Sequence, residues 1–392
     1  MASRTDLMVR QRNATASAIM RTLVREGPIG RKELAAATGV SFTTITKTVA
    51  ELIELGALTE AAPAAPRGAG RPAVPLDLPG RQRLVVGAHL HPGSTTCGAF
   101  TLRGERVAWR AAPAHGRTQR ERIEEAAQLV DEVVTEAGVE AVLGIGMVTP
   151  WAEVHHGAPP PLLSDVDHDE LRAGLRRRLP HPVRLEPNVR AMAVEHYWWN
   201  DGGDDVLTVL VGRSVRVAQM RGGELVWDGP GAGGLVSHLV VPGSGFGCEC
   251  GQVGCVKATC TDDALVRRAV AGGLLPPGSA QHDLYPRTDP EPLRQLRRDR
   301  AEELGRVIPL IMSLVAPAQT VVRGRLGTPE EISACIDAIR HRYRALVGRD
   351  PDVKYYDGGR PDLWARGSAA LALDRYLASP LEHETSRLVR TE

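Results

Sequence analysis

The chain has 392 residues, 43% hydrophobic and 24% charged, with a formal net charge of +1. This length accommodates two or three domains with substantial cores, and the composition excludes a disordered or fibrous chain. There is no signal-peptide pattern and no apolar run of membrane length, which points to a cytoplasmic protein with no membrane partner.

The net charge is not by itself a nucleic-acid signature, but residues 1–80 carry ten Lys/Arg against seven Asp/Glu, a net of +3. From Arg12 to Glu60 the chain spells three short helical patterns. Ala18, Ile19, Leu23 and Val24 form a first apolar face that ends near Gly27-Pro28. Arg31 to Thr38 predicts a second helix, stopped by Gly39. Ser41 caps a third, with Phe42, Ile45, Val49, Leu52 and Ile53 as its inward stripe. Two short helices joined by a brief Gly-containing turn match the helix-turn-helix plan, whose second helix enters the major groove of DNA.

Ser41 and the outward Thr43, Thr44, Thr46, Lys47 and Thr48 of the third helix carry groups suited to base edges and phosphates. The alternative is a solvated face of a small helical domain. Ala57-Leu58-Thr59 starts a wing strand. Beyond it, Arg67-Gly-Ala-Gly-Arg71-Pro72 is either a plain linker or a slim basic loop that carries Arg67 and Arg71 into the minor groove. The expected boundaries are 1–60 for the helical domain and 61–82 for wing and linker.

Past residue 82 the pattern becomes α/β. Arg83–Leu90 and Thr95–Leu102 read as strands, and Arg103-Gly104-Glu105 turns into a third. Arg122–Ala137 has helical spacing, Val142–Val148 is a buried strand, and the pattern restarts at Val206–Val211. This repeat predicts two similar lobes, 83–193 (completed by 360–392) and 194–359, with a ligand cleft between them.

The second lobe carries Cys248-Glu-Cys250-Gly-Gln-Val-Gly-Cys255, preceded by His238. Three thiolates and an imidazole suit zinc, and four protein ligands leave no open position, so the expectation is one structural zinc per chain. Gly251 and Gly254 allow the tight turns this requires. A cluster of reduced buried cysteines, or a disulfide, is the alternative. Cys97, Cys260 and Cys335 read as core residues.

Together the helix-turn-helix pattern, the Gly87 strand, Gly144-Ile-Gly146, the Gly-rich approach to His238 and the cysteine cluster resemble the ROK family of repressors, open reading frames and kinases. Leu304-Gly305 to Pro317, Val321-Val322-Arg-Gly324 and Gly367-Ser-Ala-Ala-Leu-Ala extend the resemblance over nearly the whole chain. It implies a winged helix-turn-helix followed by a bilobal actin-like/hexokinase-like (ribonuclease H-like) body with a structural zinc. It further implies a homodimer or dimer of dimers, nucleoid-associated, that binds an inverted-repeat operator and represses sugar or amino-sugar genes under a sugar-derived effector. A sugar kinase with an accessory domain and an effector-independent regulator are the alternatives.

Against the family's kinases the chain departs at three places. Gly212-Arg213-Ser214 stands where they carry a Gly-Thr-Gly-type phosphate loop, His89-Leu90-His91-Pro92 stands at their first phosphate loop, and Asn188 takes the position of the catalytic aspartate. No kinase activity is therefore expected. The resemblance places the effector at Asn188, Arg190, Leu235, His238 and Lys257. Leu235 and Lys257 replace glutamates that grip sugar hydroxyls, so the sequence reading allows a sugar phosphate, a decayed site or an unrelated ligand.

Overall fold

The computed structural model describes the chain apart from residues 1–3, 62–73, 92, 117, 140, 150–167, 201, 227–234, 358–359 and 392. Contacts divide it into two units. The first comprises Met1–Ala152, Pro160–Trp199 and Trp364–Glu392, the second Glu153–Pro159 and Asn200–Leu363.

The first unit opens with three helices, α1 (Arg4–Glu26), α2 (Arg31–Thr38) and α3 (Phe42–Glu54), followed by the short strands β1 (Thr59–Glu60) and β2 (Leu76–Asp77). Gly39 adopts the left-handed conformation that ends α2, and Ser41 caps α3 by accepting from the Thr44 amide. β1 and β2 pair antiparallel, and Ile29 bridges to Leu76, so the turn before α2 is tied to the hairpin. Ile19, Met20 and Leu23 of α1, Leu34 of α2, Ile45, Val49 and Leu52 of α3, and Leu76 are buried. The first helix begins eight residues earlier than the Arg12 start read from the apolar pattern.

The α/β part follows with β3 (Arg83–His91), β4 (Ser94–Thr101), β5 (Arg106–Pro113), α4 (Gln119–Ala137), β6 (Ala141–Thr149), α5 (His168–Arg178), β7 (Val183–Pro187) and α6 (Asn188–Trp199). Its sheet has the order β5-β4-β3-β6-β7: the first three strands are antiparallel, and β3, β6 and β7 are parallel. The expected boundary after residue 193 falls inside α6, which stays whole within the first unit.

In the second unit, β8 (Asp205–Val211), β9 (Val215–Arg221) and β10 (Glu224–Val226) precede α7 (Val256–Thr259), α8 (Asp262–Ala271) and α9 (Glu291–Val315). β11 (Gln319–Gly324), α10 (Pro329–Val347) and β12 (Asp352–Asp357) complete it. The order β10-β9-β8-β11-β12 repeats the first sheet: an antiparallel set, then two parallel additions. The duplication expected from the strand patterns is therefore present as two sheets of one topology. The second core is built on Leu207, Val209, Val322, Leu304, Ile308 and Ile339.

The chain then returns to the first unit as α11 (Leu363–Ala378) and α12 (Pro380–Thr391). Gly87 and Gly146 are paired in register on β3 and β6. A Cβ on Gly87 would lie 1.9 Å from the Ala365 carbonyl oxygen, and one on Gly146 would lie 1.7 Å from that of Ser368. These glycines allow the small-residue helix α11 to rest directly on the sheet backbone. Cys97, Cys260 and Cys335 are fully buried, as expected, and burial pushes their thiols up, that of Cys335 to about 12.

Candidate nucleic-acid interface and metal centre

The candidate nucleic-acid interface is built on α3. Ile45, Thr48, Val49 and Leu52 recur at helical spacing and face the small core. The opposite side exposes Ser41, Thr43, Thr44, Thr46 and Lys47. Two assignments made from periodicity are corrected. Thr48 is buried, because the stripe is centred between Ile45 and Leu52 and Thr48 lies on it. Phe42 is 51% exposed, because it stands at the first helical position on the flank of that stripe, where only half its surface finds cover.

Several of the exposed hydroxyls are already engaged. The Ser41 and Thr44 hydroxyls share a hydrogen bond of 2.8 Å, and the Thr46 hydroxyl donates to the Phe42 carbonyl at 2.8 Å. α3 is tied to α1 by an ion pair between Arg12 and Glu51, and Arg31 of α2 pairs with Glu60 of β1 at 2.8 Å. Arg67 and Arg71 lie outside the described residues.

The candidate metal centre lies in the second unit. Ligand atoms of His238, Cys248, Cys250 and Cys255 all fall within 4.8 Å of one another. His238 ends a short 3-10 turn that begins at Leu235, and Cys255 caps α7. Between them the loop is pinned by the Cys248 amide donating to the Gln252 carbonyl and the Val241 amide to that of Gly254, both at 2.8 Å. Gly251 and Gly254 have φ of +88° and +83°, the left-handed turns expected of them.

Cys250 Sγ lies 3.6 Å from Cys255 Sγ, and Cys248 Sγ lies 3.8 Å from His238 Nδ1. A tetrahedral ion with metal–sulfur bonds of about 2.3 Å and metal–nitrogen bonds of about 2.0 Å requires edges of roughly 3.5–3.8 Å, so the cluster fits one. Burial and the neighbouring thiols push Cys255 up to about 12, whereas a bond from the Gln252 backbone helps draw Cys250 down to about 7. A bound cation would favour the thiolate at every one of these positions.

The five positions assigned to an effector divide between the units. Asn188 and Arg190 open α6 in the first; Leu235, His238 and Lys257 belong to the second. Asn188 Oδ1 accepts from the Val189 amide at 2.8 Å, and Arg190 pairs with Glu186 at 2.8 Å. Lys257 is held by Glu249 of the cysteine loop.

At two of the positions that the sequence reading compared with the kinases, Gly212 and His89, the contacts are these. The Gly212 amide closes a tight turn onto the Ser214 carbonyl at 3.1 Å, and the Gly212 carbonyl accepts from the Asp262 amide at 2.8 Å. His89 is buried and stacks on Trp364, with ring centroids 5.0 Å apart. Burial, reinforced by His91, pushes its imidazole down to about 3, so it is neutral at physiological pH.

The sequence model of the ROK family matches residues 92–372. The chain is 25% identical over 398 residues to the transcriptional regulator Rv0485 of Mycobacterium tuberculosis H37Rv, covering 94% of this chain and 87% of that protein. It is 26% identical over 273 residues to the Escherichia coli K12 protein named DNA-binding transcriptional dual regulator NagC, covering 67% of this chain and 66% of that one. A relative from Escherichia coli O6:H1, with the same identity and coverage, is named N-acetylglucosamine repressor. The fold matches the crystal structure of a ROK family transcriptional regulator described as a homolog of the E. coli MLC protein. That match has a TM-score of 0.75 at 17% identity and covers 96% of this chain and 99% of the other. Among the described residues no helix is long and apolar enough to cross a membrane.

Proposed function

This chain belongs to the ROK family, and we propose that it is a winged helix-turn-helix transcriptional regulator, a repressor that binds an inverted-repeat operator as a homodimer. The observation that carries the reading is α3. It exposes Thr43, Thr46 and Lys47, while its buried Ile45, Val49 and Leu52 seat it on the small core it shares with α1 and α2. A helix held this way after the three-residue turn Gly39–Ser41 is the element that docks in the major groove, with β1 and β2 as the base of the wing. The relatives' names agree with it.

Zinc is the metal proposed for His238, Cys248, Cys250 and Cys255. The soft donor set favours it, and four protein ligands make its role architectural. It would tie the turn ending at His238 to the start of α7 across a loop whose Leu239, Val240 and Val253 are exposed.

The effector proposed is a sugar or amino-sugar derivative, in line with the name N-acetylglucosamine repressor borne by one relative. An anionic effector is one of the readings that Lys257 and Arg190 leave open in the sequence. Both cations already have carboxylate partners, Glu249 and Glu186, which favours an uncharged sugar derivative over a phosphate. Kinase activity is not proposed. Asn188 offers an amide where a general base needs a carboxylate, and the Gly212 amide is engaged within its own turn.

Selection of duplexes from a random library by the full-length protein tests the function. Enrichment of an inverted repeat whose half-sites face one side of the duplex is the expected result; a pool that stays random refutes it. A thermal-shift panel of sugars, amino sugars and their phosphates tests the effector, because a ligand that binds only the folded state raises the melting temperature.

A further inference from the structure

We infer that Phe42 is a specificity-determining residue that reads the 5-methyl group of a thymine in the major groove, an inference that rests on the DNA-reading function proposed above. Phe42 opens α3 and leaves 51% of its surface exposed. Thr46 lies one turn further on, at the i+4 spacing that makes helix residues surface neighbours. Its hydroxyl donates to the Phe42 carbonyl, and the Thr44 hydroxyl is shared with Ser41. Two of the polar groups that a row of threonines offers to bases are thereby engaged within the helix itself. What Thr46 still presents is its methyl group.

The first turns of α3 therefore expose two apolar groups at i and i+4, the Phe42 ring and the Thr46 methyl, on a helix that also exposes Thr43 and the cationic Lys47. Among base edges in the major groove only thymine offers an apolar group, its 5-methyl, and phenylalanine and the threonine methyl are suitable partners for it. Lys47, also exposed, has the charge to hold a phosphate while the apolar groups meet the bases. A solvated aromatic ring that becomes covered on docking also adds burial that an exposed polar residue would not.

The test uses the full-length wild-type protein and a duplex that it enriches from a random library. Each thymine of one half-site is replaced in turn by uracil, which removes only the methyl group and leaves pairing and the O4 acceptor intact. The wild type is expected to lose about fourfold in affinity per methyl at one or two positions. Phe42→Ala is expected to bind the thymine and uracil duplexes equally, with an unchanged salt slope. Phe42→Leu, which keeps an apolar side chain, should retain part of the preference, and circular dichroism melts verify that both variants fold.

Indifference of the wild type to uracil at every position overturns the inference while leaving the DNA-reading function intact, as does a Phe42→Ala variant with undiminished discrimination. If no duplex is enriched, the function itself fails and this inference with it.

Discussion

Arg83 and Glu384 form a buried ion pair, Nη1 to Oε2 at 3.0 Å, which ties the first residue of β3 to α12. The same guanidinium donates from Nε to the Gly56 carbonyl at 2.6 Å and from Nη2 to that of Leu55, so it also holds the end of α3. Glu384 in turn accepts from the Tyr376 hydroxyl at 3.0 Å and from Arg387 at 3.1 Å. One arginine thus fixes the position of the exposed helix relative to the sheet of the same unit. Removing one partner of a buried pair leaves the other charge uncompensated, at a cost of about 3–5 kcal/mol. Glu384→Ala is expected to destabilise by that order in urea unfolding, and the Arg83→Ala/Glu384→Ala double variant by less than the sum of the single variants. Additive losses would show that the two residues act independently.

Acid sensitivity follows from His89. Its imidazole titrates near 3 in the folded chain against about 6.5 when free, so between these values only the unfolded chain takes up the proton. The stability that this residue contributes is complete above about pH 6.5 and is lost as the pH falls toward 3, at about 1.4 kcal/mol per pH unit. Between pH 7 and 5 the wild type should lose about 2 kcal/mol through this group. His89→Phe, which keeps an aromatic ring against Trp364, should show a correspondingly flatter profile in urea titrations at the two pH values. Parallel profiles would remove His89 as the source.

Protein purified without chelators is expected to contain about one zinc per chain by elemental analysis, and Cys255→Ser to contain none. Because structural metal binding is coupled to folding, chelation should lower the melting temperature, by roughly 2–4 °C for each kcal/mol of lost stabilisation. A chain free of metal at full stability would mean that hydrogen bonds alone hold the loop.

On α3 two substitutions should separate folding from recognition. Ser41→Ala removes the cap on the Thr44 amide and should cost about 1 kcal/mol of stability in thermal or urea unfolding. Lys47→Ala should leave stability unchanged, weaken DNA binding evenly across sequences, and reduce the salt slope by about one. A Lys47→Ala variant with an unaltered slope would place this residue away from phosphate.

Much of this protein was determined by local sequence alone. The helices at Arg31–Thr38 and after Ser41, the strands at Arg83, Thr95, Val142 and Val206, and the clustering of His238, Cys248, Cys250 and Cys255 were legible because periodicity, caps, left-handed glycines and soft donors act over a few residues. The repeat of strand patterns also announced the two sheets.

Only the tertiary structure decided which face of α3 is turned inward. At about 100° per residue Phe42 and Thr48 lie on opposite flanks of the apolar stripe, and the packing of the small helical core buried the Thr48 flank rather than that of Phe42. It likewise paired Arg83 with Glu384 across 301 residues, assigned Lys257 to Glu249 and Arg190 to Glu186, and buried His89 against Trp364. A charged side chain has many possible partners along a chain, and the fold selects among them by bringing distant residues within a few ångströms of each other.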